Sequence, residues 1–251
     1  MEKTLVLQNE IPEISKLTLF IDELGEEIVR QFIDGFTPNA ECVNIDLFVT
    51  DYLKLPLVYE SFAEDETDRL GFTSNGKRKL KVMRAGRQVE LVFPTHTIVV
   101  DAYLKRRNED GKRRFTIAHE AAHNIFDRDN GGRCEAHFYS GFDSEKEYGV
   151  ESLRERMNMC EWQANAMAAA ILMPRFLVEQ ALQKYAGRSS LPIYGNTILS
   201  QRSKKLIDKI ASVLGVSCSS LVIRLRELDL LEHRDKSEYV TRILNLKGSL
   251  T

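Results

Sequence analysis

Two histidines four residues apart, with a glutamate after the first, form the string His119-Glu120-Ala121-Ala122-His123. On a helix, positions i and i+4 share a face. Both imidazoles can therefore close on one ion at about 2.0–2.1 Å, while the glutamate beside them can reach a water on that ion. The flanking sequence supplies such a helix: Phe115, Ala118, Ala122 and Ile125 make one apolar stripe, Asp110-Gly111 stands before it and Asn130-Gly131-Gly132 closes it.

A catalytic zinc takes three protein ligands and leaves its fourth position to water, so a third ligand must lie elsewhere. The metzincin solution is excluded, because Phe126 and Asp129 stand where that class needs glycine and histidine. A glutamate on a separate helix is the other common solution. Glu161 fits it: Glu161, Asn165 and Ala168 share one helical face, and the Asn165 amide could accept a hydrogen bond from a ligand imidazole. By periodicity alone, Glu161 could equally be a solvated residue on an amphipathic helix. A donor for the developing oxyanion is also expected, and His96, His137, Tyr139 and Tyr148 are the candidates, each of which could instead be a packing or surface residue. Cys134 and His137, three apart, could be a metal pair or a redox gate, or plain loop residues.

These residues need elements to hold them. Leu17, Phe20, Ile21, Leu24 and Ile28 predict an amphipathic helix over 16–32, and a second is expected over 44–53. The pattern then becomes strand-like, at 57–62, 69–73, 80–83, 89–93 and 97–104, with Asn75-Gly76 and Ala85-Gly86 as breaks, which predicts a small mixed sheet. Residues 133–149 are polar and aperiodic, a long loop bordering a site. Helix resumes near Glu151, stops before Met173-Pro174 and restarts at Pro174. Residues 187–196 read as the clearest linker, and residues 200–231 as two helices around Gly215-Val216-Ser217. The expected architecture is α+β and zincin-like: the sheet packs on the helix of the two histidines and on a second, ligand-bearing helix. The domain organisation is 1–190, with 195–251 as a C-terminal helical subdomain of helix-turn-helix type.

Composition excludes other classes. With 251 residues, 43% hydrophobic and 29% charged, the chain is of globular and not disordered type. No apolar run reaches the roughly eighteen residues of a membrane span, and Glu2 and Glu10 sit where a signal peptide would be basic and then apolar. The expectation is a soluble, cytoplasmic protein without membrane association. Cys42, Cys134, Cys160 and Cys218 form no CxxC pair, so most are expected to be reduced core residues. The net charge of −2 conceals 16 acids against 5 bases in residues 1–70 and 12 bases against 4 acids in residues 77–114. Without interleaved aromatics, the basic band reads as a solvated hairpin and its flanks rather than a nucleic-acid surface.

Two blocks now stand out in order. Arg114-Phe115-Thr116-Ile117-Ala118-His119-Glu120-x-x-His123 is followed by Glu161-x-Gln163-Ala164-Asn165-x-Met167-Ala168-Ala169-x-Ile171-Leu172-Met173-Pro174. Together they resemble the ImmA/IrrE family of zinc metallopeptidases, over residues 44–231. Ala121-Ala122 replaces the usual Leu-Gly, and Met167 stands where Phe is common. The DNA-binding domain often fused at the N-terminus is not expected here, since residues 1–40 give one clear helix.

The resemblance implies one Zn2+ per chain held by His119, His123 and Glu161, with Glu120 as general base. It implies an endopeptidase whose protein substrate is a helix-turn-helix repressor controlling mobile-element or stress genes. An extended substrate segment could add to the edge of the strand at 98–104. The competing reading is a non-catalytic DNA-binding or sensor protein with structural zinc, drawn from the 211–228 tail. Its second helix offers few reading groups, Ser219, Ser220, Arg224 and Arg226, so direct DNA binding is not expected. The oligomeric state is left open.

Overall fold

Leu17, Ile21, Leu24 and Ile28 share a face with Val29 and Phe32, and this face builds helix α1 (Lys3–Phe36) onto the core. In the computed structural model, residues 3–63, 69–130, 137–139 and 159–248 are described. Phe20 departs from the expected stripe: it is 55% exposed. The second expected helix is α2, an α-helical turn Ile45–Leu47 that runs on as a π-helical turn, Phe48–Tyr52. The Asn44 side chain caps it by accepting from the Leu47 amide.

The mixed sheet forms from β1 (Leu57–Glu60), β2 (Arg69–Thr73), β5 (Ile98–Asp101) and β6 (His137–Tyr139), in the order β1-β5-β2-β6. β1 and β5 are parallel, while β2 is antiparallel to both β5 and β6. β5 is thus an inner strand. The expectation that a substrate segment adds to the edge of 98–104 fails, because β1 and β2 occupy both its sides and Ala102–Lys105 leaves the sheet as a 3-10 turn. β3 (Lys79–Arg84) and β4 (Arg87–Val92) make a separate hairpin, whose Leu80 and Val82 pack on Phe72 and Val99.

The helix of the two histidines is α3 (Asp110–Asn130), and the helix that carries Glu161 is α4 (Met159–Leu172). α4 is sandwiched between α1 and α3. Small residues allow this: Ala118, Ala121 and Ala122 on α3 and Ala164 and Ala168 on α4 are all fully buried. On the other side of α4, a Cβ at Gly25 of α1 would lie 2.7 Å from the Ala170 Cβ, so glycine sets the approach of those helices. The part of the expected helix over 151–158 lies outside the described residues.

After Met173, Pro174 caps α5 (Arg175–Ala181), one residue outside the helix rather than inside it. The expected linker is instead a strand. β7 (Leu191–Tyr194) is buried throughout and is the centre of a sheet with β8 (Ile198–Leu199) and β9 (Leu231–Arg234). Pro192 fits there because alternate amides point to opposite sides: Leu191 donates toward β9, and β8 on the other side reaches only Ile193 and Tyr194.

Helices α6 (Gln201–Leu214) and α7 (Cys218–Glu227) follow as expected and meet at 97°. A further helix, α8 (Lys236–Gly248), ends the described chain. Leu214, Leu221 and Leu225 belong to the same hydrophobic cluster as Ile117 and Ala164, so the core is continuous from the histidine helix into α6 and α7. The fold is α+β, and among the described residues no single helix is long and apolar enough to cross a membrane.

The cysteines match the expectation only in part. Cys42 is free and half-buried, Cys218 is free and exposed, and Cys160 is disulfide-bonded. Cys134 lies outside the described residues.

Candidate metal centre

α3 is enclosed over its middle turns: Ile117 and Ala118 bury apolar surface, and His119, Glu120, His123 and Asn124 are each at most 2% exposed. A buried charge or unpaired polar group costs free energy unless it has a partner, so so many polar side chains inside one helix require a common purpose. The His119 and His123 rings stand at 79° to each other, with centroids 4.6 Å apart. Their Nε2 atoms approach to 3.0 Å. Glu161, one turn into α4, brings Oε2 to 3.2 Å from His119 Nε2 and Oε1 to 3.7 Å from His123 Nε2.

Those separations fit a metal. Ligands at about 2.0–2.1 Å from a tetrahedral centre lie about 3.3–3.4 Å from one another, and the three distances above scatter around that edge. The proton inventory agrees. Asn165 places Oδ1 2.9 Å from His119 Nδ1; an amide oxygen only accepts, so Nδ1 carries the proton and Nε2 presents its lone pair to the centre. Burial lowers the His123 pKa to about 4, against the raising influence of Glu161. Burial also acts to raise the Glu161 carboxyl, but its side-chain interactions with His119 and His123 outweigh it and leave its pKa lowered to about 2. At neutral pH His123 is thus a neutral imidazole and Glu161 a carboxylate, the forms that bind divalent metals.

Glu120 occupies the neighbouring wall. Thr73 at the end of β2 donates its hydroxyl to Glu120 Oε2 at 2.7 Å. Asn124 donates to the Glu120 backbone carbonyl at 3.0 Å, and His96 Nδ1 lies 2.9 Å from Asn124 Oδ1. His96 is therefore two hydrogen bonds from Glu120, on an exposed turn with φ +65°. The backbone of His137 and Tyr139 lies in β6, beside β2. Tyr148 lies outside the described residues.

Sequence reasoning missed Thr73, Gly71 and the work of Arg114. A Cβ at Gly71 would stand 2.6 Å from Thr116 Cγ2 and 2.9 Å from Glu120 Cγ, so only glycine lets β2 lie this close to α3. A lone glycine inside a strand pattern was the available signal. Arg114 is buried and donates to the carbonyl oxygens of Val43 at 3.0 Å, Leu214 at 3.1 Å and Gly215 at 2.9 Å. It ties the start of the histidine helix to the C-terminal end of α6.

Two packed helices thus bring together a buried group of two histidines and one carboxylate that could hold a metal ion. Residues 50–226 match the family model Peptidase_M78, the IrrE N-terminal-like domain, and the chain belongs to that family. The family is one of peptidases, and the resemblance drawn from the two sequence blocks points to the same one. No curated protein matches the chain.

Proposed function

We propose that this protein is a zinc endopeptidase that cleaves a regulatory protein, of the helix-turn-helix repressor class. One observation carries the chemistry: the two Nε2 atoms and the Glu161 carboxylate lie at near-tetrahedral spacing, with Glu120 held beside them by Thr73. His119, His123 and Glu161 hold the zinc, and Asn165 orients His119. The bound ion supplies Lewis acidity toward water and toward a peptide carbonyl.

Glu120 accepts the proton of the attacking water and delivers it to the departing amine. Thr73 orients the Glu120 carboxylate for that transfer. The oxyanion donor comes from His96, His137, Tyr139 or Tyr148, of which His96 is linked to Glu120 through Asn124. An extended substrate strand adds to β6 rather than β5, since β6 has β2 on one side and no other partner among the described residues.

Reading of duplex DNA by α7 is not part of the proposal. Arg224, the best-placed reading group, is buried and bonded to Asp22 at 2.8 Å and to the Met173 carbonyl at 3.0 Å. The test is incubation of the protein with the regulator encoded beside its gene, with and without chelator. Metal-dependent cleavage is expected, and Glu120→Gln should retain metal yet lose at least about 10²-fold in rate. Full turnover by that variant, or specific salt-sensitive duplex binding without cleavage, would overturn the proposal.

A further inference from the structure

Several arginines have a carboxylate beside them: Arg30 with Glu26, Arg84 with Glu60, Arg175 with Glu179, Arg234 with Glu232. Three others have none among the described residues and cluster together. Arg188, Arg202 and Arg242, from the turn before β7, the first turn of α6 and the middle of α8, converge on one recess of about 50 Å3. Among the described residues no carboxylate lines it; the remaining walls are Ser200, Ser203, two leucines and a proline.

The two serines are built into the protein rather than lying on it, being 7% and 3% exposed. Ser200 caps α6: its Oγ accepts from the Ser203 amide at 3.1 Å and lies 2.9 Å from Ser203 Oγ. That hydroxyl pair has two protons, and its mutual bond uses one. The other has no acceptor among the described residues and lies in the wall of the recess. The amides of Gln201 and Arg202, at the N-terminus of a 14-residue helix, add donors of the kind that no helix satisfies internally. Arg242 is steadied by Tyr194, whose hydroxyl lies 3.4 Å from its Nη1.

We propose that this recess is a binding site for a tetrahedral oxyanion, a phosphate or the phosphoryl group of a small ester. Its polar lining consists of hydroxyls and guanidinium groups, the three arginines supply charge, and planar forks suit phosphoryl oxygens better than point charges do. The volume suits a small anion: at about 10–15 Å3 per water it holds about three to five waters. The ligand also has a route to the rest of the molecule. α6 starts at the recess and ends at Leu214, whose carbonyl is held by Arg114 five residues before His119.

The test is calorimetric titration of the full chain with inorganic phosphate, and in parallel with adenosine monophosphate, at ionic strength held constant with sodium chloride. Saturable one-to-one binding is expected. Arg202→Ala and Arg242→Ala should each weaken it about tenfold or more, and Ser203→Ala by a smaller factor. Tighter binding of the nucleotide assigns the site to phosphate esters, and equal or weaker binding assigns it to the free anion. Heats no larger than those of added chloride, or unchanged affinity in the Arg202→Ala/Arg242→Ala double variant, would overturn the proposal. Should a variant not fold, amide shifts of the wild-type chain decide. Phosphate must move the resonances of Gln201, Arg202 and Ser203, and perturbation elsewhere alone would contradict the site.

Discussion

Two helix pairs in this molecule bury polar side chains, and they do so in opposite ways. Around α6 and α7 every buried cation is answered by protein. Arg114 meets three backbone carbonyls, and Arg224 meets Asp22, Glu227 and the Met173 carbonyl. Between α3 and α4, nitrogen lone pairs and a carboxylate face one another within 3.7 Å, an arrangement of acceptors that could hold a cation. Saturated buried polarity is architecture, and converging acceptors mark chemistry. The difference also explains why the tail, though bent like a DNA-reading unit, serves as a brace for the histidine helix.

Breaking the brace should have the largest effect. Arg114→Ala leaves three carbonyls without their donor, at about 1–3 kcal/mol each, so the urea midpoint should fall by the equivalent of at least about 3 kcal/mol. Arg114→Lys should rescue only part of this, because an ammonium cannot span three carbonyls with a fixed fork. Full stability in Arg114→Ala would show that the tail is not coupled to α3.

Acid should separate the two regions next. In metal-free protein, the folded His123 pKa of about 4 lies below its ordinary 6.5, and the folded Glu161 pKa of about 2 lies below 4.5. In both cases the unfolded chain binds the proton more readily, so stability is complete above pH 6.5 and falls as pH drops. His123 acts between 6.5 and 4, and Glu161 between 4.5 and 2, each on the order of 3 kcal/mol. His123→Gln should flatten the upper window, which urea titrations at stepped pH would reveal.

Gly71→Ala sharpens the comparison at smaller cost. The added methyl meets Thr116 and Glu120, costing about 1–3 kcal/mol of stability and shifting the Glu120 carboxylate. Peptide cleavage should fall more than metal content does, and metal assay beside a cleavage assay distinguishes the two. Asn165→Ala should be mildest, weakening metal affinity about 10–100-fold while the fold persists, as read by competition with a chromogenic chelator.

Much of this was legible before any coordinates, and the pattern of what was not is instructive. The His119–His123 spacing is local, so helical geometry alone put both rings on one face. Asn165 was legible by the same arithmetic from Glu161. Glu161 itself could not be joined to the histidines by periodicity, because nothing local reports which helices adjoin; the resemblance of the second block supplied that link. Thr73 lies 47 positions from Glu120 and Arg114 lies 101 from Gly215, and such contacts leave no short-range trace. β7 was read as a linker because Leu191-Pro192-Ile193-Tyr194 is short, contains a proline and is flanked by Ser190 and Gly195. Its burial is decided by β9, forty residues later.

The account rests on α3 and α4 sharing one cation. Elemental analysis of the purified chain, beside its Glu161→Gln variant, tests this most directly. One zinc per chain in the parent and a large loss in the variant are predicted. A parent without any stoichiometric metal, or a variant that retains its full complement, would contradict it.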